Sequence, residues 1–240
     1  MVSPWFASPF DFIAHLSGVD RDALLSIGRA NTVPKGAEVF HAGSPGEHVY
    51  LLEDGRVKIF QHSPGGREII QWFCFPGEIF GVAEVSRLGP RGVCAQACTD
   101  SSVIAIDHRE FRAYLRERPD TALLVIDVLA SRLRALGDML IDLSADDVPS
   151  RLMKLLTRLG ARYGKRRGAQ LVLDIPLTHQ EIADMIGTSR QTATTELGRL
   201  KREGVLRIEN HCIHIEDPGL RRSLLAERDA GPPHASARDA

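Results

Sequence analysis

Leu177-Thr-His-Gln-Glu-Ile-Ala-Asp-Met-Ile-Gly-Thr-Ser-Arg-Gln-Thr-Ala-Thr-Thr-Glu-Leu-Gly-Arg-Leu-Lys-Arg-Glu-Gly204 decides how the chain is read. Thr178 and Glu181 have capping-box spacing, in which a hydroxyl and a carboxylate satisfy each other's free backbone N–H groups at a helix start. Thr188 and Gln191 repeat that spacing and open a second helix. Ile182, Ala183 and Ile186 give the first helix an apolar face, Ala193, Leu197 and Leu200 the second, and Gly187 supplies the turn between them. Two short capped helices about a glycine form a helix-turn-helix. Its second helix suits the major groove, with its first turn at the base edges.

Working outward, Val205–Ile208 and Cys212–Ile215 alternate apolar and polar around Glu209-Asn210, which predicts a β-hairpin wing. On the N-terminal side lie an amphipathic helix over Ser150–Tyr163, a basic turn Gly164-Lys-Arg-Arg-Gly168 and a short strand Leu171–Ile175. Residues 147–225 therefore form one expected domain. Ahead of it, Asp146-Asp-Val-Pro149 ends a long helix, because proline cannot continue the hydrogen-bond ladder.

That helix, 119–146, repeats apolar residues in steps of four and three: Ala122, Ile126, Leu129, Leu133, Leu136, Leu140 and Leu143. A seam of this width fits pairing with a second helix. Leu123, Leu124, Val125 and Val128 widen the stripe in the first half, which is expected to pack on its own domain as well. The expected occupant of the seam is a second copy of the chain, giving a homodimer.

Residues 1–118 read as a short helix (Asp20–Gly28), then strands Ala37–His41, His48–Glu53, Gly55–His62, Glu68–Phe73, Glu78–Phe80, Val93–Thr99 and Ser102–Asp107, and a helical patch from His108. Asp54-Gly55, Pro64-Gly-Gly66 and Pro76-Gly77 are turn chemistry. Short strands at this spacing predict an antiparallel roll of the jelly-roll kind. The fold class is thus α+β: roll, long helix, winged helix-turn-helix. A tail over 226–240, rich in Ala, Pro, Asp and Arg, is expected to be disordered.

Charge divides along the same lines. Residues 1–149 carry 14 Lys and Arg against 20 Asp and Glu, whereas residues 150–212 carry 12 against 6, so the balance moves from −6 to +6. The basic part suits a polyanion such as double-stranded DNA. There is no signal-peptide pattern and no apolar stretch of membrane-spanning length, and the four cysteines lack disulfide-framework or C-x-x-C spacing. A cytoplasmic protein that does not engage membrane is expected. An enzyme is not: no nucleophile–base constellation, metal-ligand spacing or G-x-x-x-x-G-K loop is present. His211, Cys212 and His214 do not form a metal site, because strand alternation splits them.

Pro34-Lys-Gly-Ala-Glu-Val-Phe40, the run Ala42-Gly-Ser-Pro-Gly-Glu-His-Val-Tyr-Leu-Leu-Glu-Asp-Gly-Arg-Val-Lys-Ile59, and Phe75-Pro-Gly-Glu-Ile-Phe-Gly81 resemble a cyclic-nucleotide-binding-type β-roll, in particular the sensor domain of the CRP/FNR family of bacterial regulators. The winged helix-turn-helix resembles that of the same family, and the likeness covers about residues 20–220. It implies a homodimeric regulator that reads a near-palindromic operator, contacts RNA polymerase and answers to an effector in the roll. The implied DNA-facing residues are Thr178, His179, Gln180, Ser189, Arg190, Gln191, Thr194, Thr195, Arg199 and Lys201, with Lys165, Arg166 and Arg167 adding phosphate attraction.

The implied effector pocket involves Cys74, Gly81, Glu84, Arg91 and Leu136. In cyclic-AMP members a Gly-Glu pair takes the ribose, an Arg-Ser pair the phosphate, and a Thr-Ser pair on the long helix the base. Here Gly81 is followed by Val82, Arg91 by Gly92, and Leu136-Gly137 stand at the helix positions. Those departures disfavour cyclic AMP. Haem is disfavoured because Gly81 and Ala83 stand where carbon-monoxide-sensing relatives carry Cys and His, which leaves only His15, His41, His48, His62 and His108 as ligands. An iron–sulfur cluster is not expected, since no cysteine precedes Cys74. Cys94 and Cys98, four apart on one expected strand, would lie roughly 13 Å apart, too far for a disulfide. The alternative reading is a gas- or thiol-redox sensor in which Cys74 or a histidine carries the signal.

Overall fold

A computed structural model of the chain describes residues 11–86, 88–167, 170–173, 175–209 and 212–216. Gly168, Asn210, His211 and the 226–240 tail, on which the sequence reading places turns and disorder, lie outside the described residues. The chain divides between Leu133 and Arg134 into two compact units. That division falls inside the long helix, while the sequence-derived boundaries at 118 and 146 sit close to its two ends.

The first unit opens with a 3₁₀ turn at Ile13–His15 and helix α1 (Gly18–Ser26), where Ser17 Oγ accepts the Asp20 N–H at 3.1 Å. Eight strands follow: β1 (Gly28–Val33), β2 (Glu38–Phe40), β3 (His48–Asp54), β4 (Val57–His62), β5 (Glu68–Cys74), β6 (Ile79–Phe80), β7 (Cys94–Ala97) and β8 (Ser101–Asp107). They make two four-stranded antiparallel sheets, ordered β1-β8-β3-β6 and β2-β7-β4-β5. Helix α2 (His108–Glu117) and the first half of α3 (Pro119–Ala145) complete the unit.

Strand β3 shows why this sequence closes into a roll. Its period-two alternation sends Val49 and Leu51 to one face and Tyr50 and Leu52 to the other, and both faces are covered. Val49 and Leu51 join Ile104, Ile106, Phe111, Val125 and Val128 in a core shared by the first sheet and the helices. Leu52 joins Phe40, Ile59, Cys74, Phe80 and Val103 in a second core between the sheets. Cys74 is 0 % exposed there. Cys98 falls just beyond β7, so it does not share the strand face expected of it with Cys94.

Strand β1 was not expected from the sequence. Its inner residues are exposed, so it carries no apolar alternation, and its place comes from backbone pairing with β8 from Gly28↔Ile106 to Val33↔Ser101.

The second unit takes the rest of α3, then α4 (Val148–Tyr163), β9 (Gly164–Arg167), β10 (Gln170–Leu173), α5 (His179–Met185), α6 (Arg190–Arg202), β11 (Leu206–Glu209) and β12 (Cys212–Ile215). Pro149 sits in the first turn of α4, where no intrahelical N–H is needed. The segment 164–167, expected as a basic turn, is instead an edge strand paired antiparallel with β10. Charged residues are common on edge strands because they oppose further pairing, and that hides the strand from an apolar-pattern reading. The sheet runs β11-β12-β10-β9, and β11–β12 is the expected wing.

Candidate nucleic-acid interface and effector cavity

Helix α5 begins with the expected capping box. Glu181 N–H donates to Thr178 Oγ1 at 3.1 Å, and Thr178 N–H donates to Glu181 Oε2 at 2.8 Å. Thr178→Ala is therefore expected to lower stability by about 1 kcal/mol, measured as a shift in urea midpoint at constant slope. Helix α6 starts one residue later than the sequence reading had it. Its cap is Ser189, whose Oγ accepts the Thr192 N–H at 3.1 Å, while Thr188 is buried and gives its N–H to the Ala183 carbonyl at 2.9 Å. The Thr188–Gln191 capping box is thus replaced by a simple cap at Ser189, which takes the extended backbone that a cap requires. At the other end Gly204 has φ +70°, Val205 N–H bonds the Leu200 carbonyl and Gly204 N–H the Lys201 carbonyl, a left-handed closure that favours glycine.

Ala193, Leu197 and Leu200 are the buried face of α6, whereas Ser189, Arg190, Gln191, Thr194 and Thr195 are all exposed. Their hydrogen bonding separates them. Ser189 is occupied as a cap. Thr194 Oγ1 donates to the Arg190 carbonyl at 2.8 Å and lies 2.9 Å from His179 Nδ1, which makes Nδ1 the protonated ring nitrogen and ties the two helices together. Thr195 Oγ1 donates to the Gln191 carbonyl at 3.0 Å. Gln180 donates to the buried Asp184 at 2.8 Å. The side chains of Arg190 and Gln191 have no hydrogen-bond or ion-pair partner among the described residues. Lys201 is also exposed, but Arg199 bonds Glu196 at 2.9 Å and Glu203 at 2.8 Å, which mutes its charge.

A cluster missed in the sequence holds the start of this module. Asp142 is buried near the end of α3, where it receives Lys154 at 2.9 Å and Arg158. Lys154 also meets Asp146 at 2.6 Å, and the bonds to Asp146 and Asp142 push its ammonium above the usual lysine range. Arg151 links the Asp146 carbonyl (2.9 Å) to that of Ile186 (2.8 Å), joining the break after α3 to the end of α5.

In the roll, a cavity of about 140 Å³ is lined by Phe40, Trp72, Phe80, Val93 and other apolar groups, together with Gly81, Glu84, Arg91 and Arg132. Arg91 is 3 % exposed. Its Nη1 donates to Glu84 at 2.6 Å and to the Gly81 carbonyl at 2.9 Å, Nη2 donates to the His48 carbonyl, and the guanidinium lies 4.3 Å over the Phe40 ring. At Gly81 (φ +71°) a Cβ would stand 3.0 Å from Arg91 Nη1, so a side chain there would crowd the guanidinium as well as strain the backbone. Of the five expected pocket residues, Gly81, Glu84 and Arg91 line the cavity. Cys74 does not, because it points into the core between the sheets, and Leu136 is not among the lining residues either. No histidine lines it.

The apolar stripe on α3 splits. Ile126, Leu133, Leu140 and Leu143 are exposed, with Leu133 at 72 %, whereas Ala122, Leu129 and Leu136 are half-buried. Leu129 packs against its own roll and lines the cavity. Leu123, assigned from the sequence to the inward face, is instead exposed, while Leu124, Val125 and Val128 do pack inward.

Comparison with known proteins places both parts. Residues 30–118 match the cyclic nucleotide-binding domain and residues 150–222 the Crp-like helix-turn-helix domain. A CRP-like cAMP-activated global transcriptional regulator of Mycobacterium tuberculosis is 34% identical over 184 residues, 77% of this chain and 82% of that protein. The chain belongs to the CRP/FNR family. This CRP/FNR protein is a DNA-binding transcription regulator with an effector-type roll. It is 30% identical to the cyclic AMP receptor protein of Thermus thermophilus over 200 residues, 83% of this chain and 89% of that one. A CooA mutant from Carboxydothermus hydrogenoformans shares the fold at a TM-score of 0.73 and 24% identity, over 92% of this chain and 95% of that chain. The Mycobacterium tuberculosis relative is a transcriptional regulator by name. Among the described residues no helix is long and apolar enough to cross a membrane.

Two helix caps carry carboxyls held below their usual range. Hydrogen bonds from Ser150 hold the Asp147 carboxyl below the usual range. At Asp107 burial acts upward, but the N–H groups of Arg109 and Glu110 outweigh it and the carboxyl is again lowered. With a folded value below the unfolded one of about 3.9, each carboxylate's contribution is complete above that pH and is lost as the pH falls through the folded value. Asp147→Asn keeps a cap that cannot titrate. Thermal melts from about pH 6 to 3 are expected to show a shallower decline for this variant than for the parent.

Proposed function

We propose that the chain works in the cytoplasm as a homodimer that reads a near-palindromic operator with α6 and meets RNA polymerase there, under control of an effector held in the roll. The observation that carries this reading is the start of α6. Arg190 and Gln191 stand exposed and without partners among the described residues, on a helix whose opposite face is buried, inside a basic domain. Arg190 has the forked donors that suit guanine O6 and N7, and Gln191 suits adenine N6 and N7. Thr178, His179, Gln180 and Lys201 supply phosphate contacts. The homodimer reading is supported by Ile126, Leu133 and Leu140, seven residues apart and 58 %, 72 % and 66 % exposed on one helix, an apolar seam wanting a copy of itself.

Selection of bound DNA from a random pool tests the reading directly. Enrichment of two inverted half-sites with centres about one helical turn apart is the expected outcome. Enrichment of a single unrepeated site, or of nothing, would refute it.

A further inference from the structure

The cavity wall holds two cations, and the fold supplies each with its own anion. Arg91 is paired with Glu84, seven residues away on the same loop, at 2.6 Å. Arg132 Nη2 donates to Glu78 at 2.8 Å, and Glu78 is 1 % exposed. Both guanidinium planes also lie against aromatic rings, Arg91 4.3 Å from Phe40 and Arg132 5.1 Å from Trp72. An anion entering this cavity would have to displace Glu84 from Arg91, exchanging one carboxylate contact for another at the cost of breaking a largely buried pair. It would also compete with a carboxylate tethered through seven residues, whose effective concentration is on the order of millimolar or higher.

The rest of the wall is apolar and aromatic. Trp72 is part of that wall, its ring facing the Arg132 guanidinium at 5.1 Å. The volume, about 140 Å³, is that of cavities that stay dry and take a benzene-sized guest.

We propose that Glu84 is a built-in counter-anion that closes the Arg91 site to phosphates and carboxylates. The ligand of this cavity is then an uncharged, largely apolar molecule of about one aromatic ring. This rests on the reading of the roll as an effector domain.

The test compares three probes on the full-length protein: 4-fluoroacetophenone and 4-fluorobenzoate, matched in size but not in charge, by fluorine NMR, and cyclic AMP by calorimetry. Saturable binding of the ketone, with benzoate and cyclic AMP at least about tenfold weaker, is expected of the unmodified chain. Glu84→Gln, which frees the guanidinium, is expected to gain at least about tenfold in benzoate affinity. A ketone that does not saturate, or an unmodified chain that takes benzoate or cyclic AMP as tightly as the ketone, overturns the proposal without recourse to any variant. Operator affinity is read alongside: ketone binding that leaves it unmoved supports the ligand class and instead sinks the effector reading.

Discussion

Leu133→Glu is expected to convert the protein to a monomer and to remove operator binding with it. Leu133 is 72 % exposed within its own chain and midway between Ile126 and Leu140 on the α3 stripe. Its removal leaves no cavity, so the folded monomer should keep its stability to within about 0.5 kcal/mol. The effect falls on association. In a paired seam the glutamate meets its own copy, so two like charges lose water together with no cation to receive them. A dimer turns binding of the second half-site into an intramolecular step, and losing that advantage lowers apparent affinity by about 10²–10⁴-fold. Sedimentation of the variant beside an operator titration decides it. A monomer that kept full operator affinity would overturn the dimer reading, and an intact dimer would show that the stripe has another use.

The stripe also shows where sequence reading reaches its limit. The four-and-three step marks α3 as a helix with an apolar side, and the helix runs from Pro119 to Ala145. Periodicity cannot say which apolar residues face the parent domain: Leu129 turns to its own roll and Leu123 to solvent. The helix-turn-helix was legible almost residue by residue, because caps, turn glycine and apolar faces are all local signals. The exception was its second cap, where Thr188 and Ser189 are adjacent hydroxyls and only backbone conformation separates them. Strands β1 and β9 escaped because pairing with a neighbour, not an apolar pattern, makes them strands. The cavity was half legible. Glu84 and Arg91 were both marked as facing a ligand, but that they would satisfy each other depends on the loop's path, as the Arg132–Glu78 pair depends on a contact across 54 residues. Asp142 lies off the apolar seam and carries no local signal, yet it is the buried centre of the Lys154–Arg158 cluster.

Arg190→Ala is expected to weaken operator binding by about 1–3 kcal/mol per half-site and to relax base choice at one position in each. Arg190 is the first residue of α6, directly after the Ser189 cap, so the truncation leaves the cap bond in place and Ala193, Leu197 and Leu200 buried as before. Stability is therefore a control rather than a readout. What distinguishes base reading from charge attraction is the pattern of loss. A guanidinium that forks onto a guanine loses its contribution only on DNA that carries the guanine, so affinity for random sequence should fall far less than affinity for the operator. Lys201→Ala supplies the opposite case. An exposed ammonium without a partner among the described residues acts through phosphates, so its removal should weaken both DNAs alike and lower the slope of log affinity against log salt by about 1. Titrations of both variants on operator and random duplexes at several salt concentrations separate the two patterns. Equal losses on both DNAs for Arg190→Ala would make it a phosphate contact and shift the burden of sequence reading to Gln191, its unpaired neighbour on the same exposed turn.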